Sequence, residues 1–195
     1  MTALSDRLPA VLRSRRGTLL LVAALQLMAL GYMVFDRVRL VKTGKEIVLP
    51  IIPVDPRDLF KGDYVRLAYP ISRPDAVAFS GPMPDRSAWG YAVVEPDPDP
   101  ARIWKIVRIS ASRPTDLSPG QIVMKARAPG GWREKQPVLH FGLERYYVPE
   151  GTGLALEKMA ADRKLAAIVA VDASGNAAIK GLSVDGRKVY DEPMF

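Results

Sequence analysis

The sequence contains no cysteine and a single histidine, His140. Without cysteine, the chain can form no disulfide, carry no lipid on a thiol and build no thiolate metal site. A lone histidine is more often a packing or hydrogen-bonding residue than a metal ligand. Glycine-rich phosphate-binding loops and the Gly-x-Ser-x-Gly nucleophile motif are also missing. We therefore expect no cofactor, no metal site and no catalytic residues.

Runs of like charge are equally scarce. The chain has 28 Lys and Arg residues against 21 Asp and Glu residues, which gives a formal net charge of +7. This excess is spread along the sequence and is not gathered into the basic, aromatic-interleaved stripe that is typical of nucleic-acid binding. It suits a solvated surface beside anionic lipid. We expect no nucleic-acid partner.

Against these absences stands one long apolar run, Gly17–Phe35, which holds nineteen residues and no charge. As an α-helix this run is about 28 Å long, close to the roughly 30 Å hydrocarbon core of a bilayer. A helix also satisfies its own backbone hydrogen bonds, which lipid cannot do. The sequence predicts a single transmembrane helix over residues 17–35, with the lipid bilayer as its partner.

Basic residues on both sides of this run bear on its orientation. Arg13, Arg15 and Arg16 lie directly before it, and a nearly equal number of Lys and Arg residues follows it. The count used by the positive-inside rule is therefore almost balanced. The tight arginine cluster and the long segment after the run favour residues 1–16 in the cytoplasm and residues 40–195 outside it.

Cleavage of the run, as in a secretory signal peptide, is the alternative. Ala29-Leu30-Gly31 weakly resembles a cleavage site. However, the apolar run continues to Phe35, which makes it longer than the core of a usual signal peptide. These lengths favour an uncleaved signal anchor.

Beyond the span, the sequence predicts a juxtamembrane connector over residues 36–45 and one β-rich domain over residues 46–195. Short apolar or alternating runs between Pro and Gly residues are typical of strands. Nine strands are predicted, over Ile47–Ile52, Asp63–Tyr69, Gly90–Glu95, Arg102–Ile109, Gln121–Ala126, Val138–Val148, Ala166–Val171, Ala177–Leu182 and Lys188–Tyr190. One helix is predicted over Leu154–Leu165, with Thr152 as its N-cap. This content predicts a mainly β, barrel- or sandwich-like fold with one helix.

Two segments of this domain, Asp58–Val65 and Asp116–Val123, share the pattern D-L-x-x-G-x-apolar-V. In each, the aspartate can form an Asx-type turn, and the glycine can adopt positive φ directly before a strand. We interpret Asp58 and Gly62 as structural turn residues, and the two segments as related strand-entry corners. Coincidence is the alternative, because such turns are common in β proteins.

The glycine of the first turn also opens a more specific motif. Residues 62–69 read GDYVRLAY and match every fixed position of the pattern GDYXXLXY. The chain thus resembles the bacterial GDYXXLXY family of membrane-anchored proteins, whose function is unassigned. Residues 141–151, FGLERYYVPEG, are similar to that family as well, and the resemblance runs from near residue 20 to near residue 190.

This resemblance implies where the protein works rather than what it does. It implies a bacterial inner-membrane protein that crosses the bilayer once, with its C-terminal domain in the periplasm or outside. It also implies a multi-spanning membrane protein as partner, because proteins of this family tend to be encoded beside such proteins or fused to them. It brings no known activity and no known catalytic residue.

Two acidic residues in these motifs need partners. Asp63 lies on the same predicted strand face as Val65 and Leu67, and Glu144 lies among aromatic residues. A buried carboxylate is costly unless it is paired or hydrogen-bonded. We predict that each contacts an arginine, such as Arg57, or a turn N–H group, and that the two motif strands belong to one sheet.

If the two motifs meet, five side chains could line one polar pocket: Arg57, Asp63, Tyr64, Glu144 and Tyr146. A tentative ligand-binding role for this cluster competes with a structural one. Paired charges at turns most often stabilise a corner of the fold.

Three functions remain open from the sequence. The leading hypothesis is a non-catalytic domain that binds or supports a membrane or envelope partner protein. A small-ligand or glycan-binding domain is the alternative, and the candidate stacking residues for it are Trp89, Tyr91, Trp104 and Trp132. Rings clustered in an open cleft would favour ligand binding, whereas buried rings would favour a scaffold. A peptidase with the anchored β layout of type I signal peptidases is disfavoured, because the first serine after the span, Ser72, lies in a predicted turn.

Overall fold

The computed structural model describes most of the chain, in the ranges 15–52, 64–74, 78–79, 89–99, 103–132, 137–147, 159, 162 and 164–191. Within these ranges the chain forms one long α-helix, a short 3-10 helix over Pro70–Ser72 and ten strands. It divides into two compact units, Met1–Arg39 and Leu40–Phe195.

The long helix, α1, spans Arg15–Thr43 and holds 29 residues, so it is about 43 Å long. It contains the whole predicted apolar run, and it is long and apolar enough to cross a membrane. The helix does not end with that run but continues through most of the predicted connector. In its last turn, Leu40 and Val41 are buried against Ala170 and Ala178.

The ten strands are β1 (Lys45–Pro50), β2 (Tyr64–Arg66), β3 (Ala78–Phe79), β4 (Gly90–Pro96), β5 (Trp104–Ser110), β6 (Ile122–Ala126), β7 (Arg145–Tyr147), β8 (Leu165–Val171), β9 (Ala177–Val184) and β10 (Arg187–Asp191). One four-stranded antiparallel sheet has the order β1-β8-β9-β10, and the other has the order β3-β5-β4-β6, with β3 parallel to β5. The strands β2 and β7 form a separate two-stranded sheet. The mainly β fold is confirmed, and none of the three sheets closes into a barrel within the described residues.

Both four-stranded sheets contribute to one hydrophobic core. Alternate residues of two paired strands belong to this core, namely Leu165, Ala167, Val169 and Val171 in β8, and Ile47 and Leu49 in β1. This alternation is the period-two pattern of a strand with one face against the core. Burying each large aliphatic side chain stabilises the fold by about 1.5–3 kcal/mol.

The β8–β9 hairpin connects the two large sheets. The Asp172 carboxylate closes its turn by accepting hydrogen bonds of 2.8 Å from the backbone N–H groups of Ser174 and Asn176. At the tip, the carbonyl of Gly175 accepts a 2.7 Å hydrogen bond from the N–H of Lys125 in β6. The Lys125 ammonium group also donates to the Asn176 side chain at 2.8 Å. The predicted strands Ala166–Val171 and Ala177–Leu182 thus pair as a hairpin, and its turn also contacts a neighbouring strand.

The predicted strand over Val138–Val148 is wrong as a single element. Gly142 has a φ of 79°, which turns the chain, and only Arg145–Tyr147 forms a strand. The turn also shifts the phase of burial: Leu139, Phe141 and Leu143 are buried, but so is Tyr146. Tyr146 is therefore buried, whereas Glu144 is half-buried and His140 is exposed, so the three side chains do not share one face of a continuous strand.

The predicted helix over Leu154–Leu165 lies mostly outside the described residues, as does its N-cap. Its end is placed wrongly, because Leu165 is the first residue of β8. Met159 is helical, and its carbonyl accepts a 3.1 Å hydrogen bond from the N–H of Lys164. The helix therefore cannot extend to Leu165.

The two predicted corners can be compared only in part, because Asp58 and Gly62 lie outside the described residues. In the second corner Gly120 has a φ of 89° just before β6, as predicted. The Asp116 carboxylate, however, accepts hydrogen bonds of 2.8 and 3.0 Å from the Arg108 guanidinium. This pair lowers the pKa of Asp116 and raises that of Arg108.

Candidate functional site

The two sequence motifs meet in the two-stranded sheet. Strand β2 pairs antiparallel with β7, with Tyr64 opposite Tyr147, Val65 opposite Tyr146 and Arg66 opposite Arg145. The prediction that both motif strands belong to one sheet is confirmed. Residues far apart in the sequence therefore form one local structure.

Hydrogen bonds beyond the strands join the motifs further. The N–H of Leu67 donates to the carbonyl of Glu144 at 3.0 Å, and the hydroxyl of Tyr69 donates to the carbonyl of Leu143 at 2.8 Å. Leu67 and Tyr69 are both buried. Burial raises the pKa of Tyr69, and the nearby charge of Glu144 raises it further. The Tyr69 hydroxyl is therefore a neutral, structural donor.

The carboxylate of Glu144 is satisfied by the backbone. It accepts a 2.6 Å hydrogen bond from the N–H of Phe141, across the turn that contains Gly142. The prediction of a turn N–H partner is confirmed for Glu144. The corresponding prediction for Asp63 lies outside the described residues.

A cleft of about 430 Å³ opens beside the joined motifs. Its polar lining includes Arg66, Arg73, His140 and Glu144, and its apolar lining includes Ile52 and Val138. A long-range backbone contact builds its walls: the carbonyl of Ser72, in the 3-10 helix, accepts a 2.8 Å hydrogen bond from the N–H of Leu139. This contact brings the segment after β2 beside the segment before β7.

The cleft combines three exposed basic side chains, two of them arginines, with one hydrogen-bonded acid. Arg66, Arg73 and His140 are exposed, whereas Glu144 is half-buried. Among the described residues, no ion pair involves Arg66 or Arg73, and no group of three His, Asp or Glu side chains could hold a metal ion. The site is therefore suited to binding an anion.

A family model described as GDYXXLXY protein matches residues 26–182 of the chain. The chain belongs to the GDYXXLXY family. No curated protein matches it, and no solved structure does. The match begins within α1 and ends within β9, so it includes both motifs and the cleft.

The fold explains part of the GDYXXLXY signature. Its fixed leucine and second tyrosine are Leu67 and Tyr69, which are buried and hydrogen-bonded to the second motif. Its first tyrosine, Tyr64, lies in β2. The glycine and the aspartate lie outside the described residues. The later half of the signature thus serves to join the two motifs.

The five predicted pocket residues have different positions. Glu144 lines the cleft, whereas Tyr146 is 4% exposed and belongs to the core. Tyr64 belongs to β2, opposite Tyr147. Arg57 and Asp63 lie outside the described residues.

The sequence alone does not predict Arg73 or His140 as residues of the cleft. His140 is the single histidine of the chain, and Arg73 directly follows the predicted turn at Ser72. Neither residue belongs to a motif. They become neighbours through the hydrogen bond between Ser72 and Leu139, for which the sequence carries no local signal.

The four aromatic candidates do not line the cleft. Trp132 is fully buried, Trp104 packs against the core and Tyr91 is half-buried. Trp89 is 44% exposed, but the Arg127 guanidinium lies 4.2 Å from its ring centroid, which is a cation–π contact. These rings provide no shared stacking surface at the cleft.

Proposed function

We propose that this GDYXXLXY protein is a non-catalytic, membrane-anchored domain that binds or supports a partner protein at the outer face of a bacterial inner membrane. In this proposal α1 is an uncleaved signal anchor and residues 1–16 stay in the cytoplasm. The partner is a multi-spanning membrane protein, and its contact surface is the β2–β7 sheet.

The observation that carries this proposal is the exposure of Tyr147. Its side chain is 75% exposed, although its neighbour Tyr146 is buried in the core. Arg145, on the other side of Tyr146, is also exposed. Tyrosine and arginine are the residue types that most often anchor protein interfaces. The motif strand thus uses one face for folding and offers the other to a partner.

Site-specific photocrosslinking tests this surface in the full chain in its membrane. With p-benzoylphenylalanine in place of Tyr147, irradiation is expected to give one discrete adduct with another membrane protein. The matched control places the same group at Val189, which is 49% exposed on β10. Failure to form an adduct from position 147, or identical adducts from both positions, would contradict the proposal.

Hydrolysis is a competing function, which the residues that line the cleft suggest. Ser72, His140 and Glu144 all line it, and these are the residue types of a catalytic triad. Within the described residues, however, no side-chain hydrogen bond joins Ser72 to His140 or His140 to Glu144. The Glu144 carboxylate instead accepts the N–H of Phe141. The geometry therefore favours a binding role.

A fluorophosphonate probe separates these two functions. Such probes phosphonylate the oxygen of an activated serine and release fluoride, so the full chain is expected to remain unlabelled. Labelling of the wild type that disappears in Ser72→Ala would overturn the non-catalytic assignment. Labelling of a known serine hydrolase in the same sample is the positive control.

A further inference from the structure

We propose that the cleft between β2 and residues 137–140 binds a carboxylate group attached to a short aliphatic body. The cleft shares Arg66 of β2 with the proposed partner surface, but the inference rests on the lining of the cleft and not on Tyr147. It names the class of ligand that the described side chains select.

Two guanidinium groups without an ion pair among the described residues face the cleft. Arg66 and Arg73 both line the cleft and are exposed, and neither forms an ion pair within the described part of the chain. The planar guanidinium donates two parallel hydrogen bonds to a carboxylate, which makes arginine well suited to this group. His140 adds a further donor at the same wall.

The register of the motif strands also favours an anion at Arg66. Arg66 lies directly opposite Arg145, and both are exposed. Like charges at directly opposed positions of an antiparallel pair destabilise it. An anion held at Arg66 would relieve this repulsion, so the free protein stores positive potential where the ligand is expected.

The charge of the lining selects a carboxylate over a phosphate. Arg66 and Arg73 contribute two positive charges, and Glu144 contributes one negative charge. One net positive charge complements a monoanion. Phosphate carries nearly two negative charges near neutral pH, and its second charge would be repelled by Glu144.

The apolar part of the lining favours an aliphatic body for the rest of the ligand. Ile52 and Val138 line the same cleft, and Val138 is 39% exposed. A volume of about 430 Å³ is in the range of small-molecule sites. A short aliphatic chain can lie against these residues while its carboxylate contacts the arginines. An acidic side chain of a protein has the same chemistry.

Calorimetric titration of the full chain in lipid nanodiscs tests the inference. The probes are valerate, its neutral amide valeramide, and inorganic phosphate. Saturable binding of valerate is expected, with a Kd on the order of 1 mM for so small a ligand. Valeramide and phosphate are expected to bind at least tenfold more weakly.

Charge-removing variants locate the binding site. Arg66→Gln and Arg73→Gln are each expected to weaken valerate binding by about tenfold or more, since each removes a charge-assisted contact. Arg113→Gln is the matched control, because Arg113 is an exposed arginine outside the cleft lining. Thermal unfolding of every variant checks that it is folded. Since the two arginines lie in different segments, one unfolded variant would still leave the other informative.

A second arm distinguishes the source of the carboxylate. An acetylated and amidated tripeptide, Ala-Glu-Ala, is compared with its Ala-Gln-Ala counterpart. Binding of the glutamate peptide in competition with valerate points to a protein side chain, and binding of valerate alone points to a free carboxylic acid. Absence of saturable binding to all carboxylates, tighter binding of phosphate, or binding unchanged in both arginine variants would overturn the inference. None of these results depends on the photocrosslinking at Tyr147.

Discussion

Tyr69 shows how a single residue connects the two motifs. Its hydroxyl donates to Leu143, and its ring is part of the core. Tyr69 lies two residues after Leu67 in the predicted strand, a spacing that places both on one face, and both are buried. It could not indicate the acceptor, because the carbonyl of Leu143 is reached only once the second motif has folded.

We expect Tyr69→Phe to destabilise the protein by about 1–3 kcal/mol, because it leaves a buried carbonyl without its donor. Urea unfolding of the full chain in detergent, followed by tryptophan fluorescence, measures this change. Tyr91→Phe is the control: Tyr91 is half-buried, and among the described residues its hydroxyl has no hydrogen bond. Equal stability of the Tyr69 variant and the wild type would contradict the structural role of the hydroxyl.

The raised pKa of Tyr69 also predicts a response to alkali. The unfolded chain ionises tyrosine above about pH 10, whereas burial and the Glu144 charge keep folded Tyr69 protonated. The folded state then binds more protons than the unfolded state, so stability falls as pH rises above that value. Urea titrations at successive alkaline pH values are expected to show this loss in the wild type. A loss of the same size in Tyr69→Phe would assign it to other groups.

At the scale of elements, the predictions succeed where local pattern and tertiary packing agree. The two strands of the β8–β9 hairpin, like β4 and β5, lie close to their predicted bounds, and a turn that contains Gly175 joins them. The predicted strand at Val138–Val148 failed because Gly142 turns the chain there. That turn is closed by the Glu144 side chain, a contact that strand periodicity does not report.

The hairpin tip gives a prediction at this scale. In Gly175→Ala the new Cβ would lie 3.2 Å from the backbone of Lys125 and Val123, at a φ of 84°. We expect the free energy of unfolding to fall by more than about 1 kcal/mol. The positive φ strains an alanine, and the new Cβ forces the hairpin tip away from β6. Gly120→Ala isolates the strain, since Gly120 has a φ of 89° and no atom within 4 Å of the new Cβ. If both variants lose the same stability in urea unfolding, the contact with β6 contributes nothing.

At the scale of the whole molecule, the sequence predicted the apolar helix, the β-rich domain and the pairing of the motifs. The cleft was not predictable, because its arginines and histidine come from separate segments. Its walls meet through backbone hydrogen bonds, and these carry no residue-type signature. Among the predicted pocket residues that the structure describes, Glu144 lines it.

The proposed topology predicts the behaviour of reporter fusions. Alkaline phosphatase is active only outside the cytoplasm, so a fusion after residue 195 is expected to be active. A fluorescent protein that matures only in the cytoplasm is expected to stay dark at the same position. Placing both reporters before residue 1 reverses the expected signals and provides the control. An inactive phosphatase fusion together with a fluorescent reporter fusion, both at the C-terminus, would reject an orientation with the N-terminus in the cytoplasm.

Strand order also dictates when the domain can form during synthesis. Lys45, at the start of β1, pairs with Val171. In the same way, β2 pairs with β7, which is made much later. The first strands that the ribosome synthesises therefore lack these pairing strands until most of the chain has been made. Such distant pairing slows folding and leaves unpaired edges open to aggregation. In the proposed topology the chain is exported through a narrow channel, and the delay would keep it unfolded during that passage. The unpaired strands would then need protection from aggregation until the last hairpin has been made.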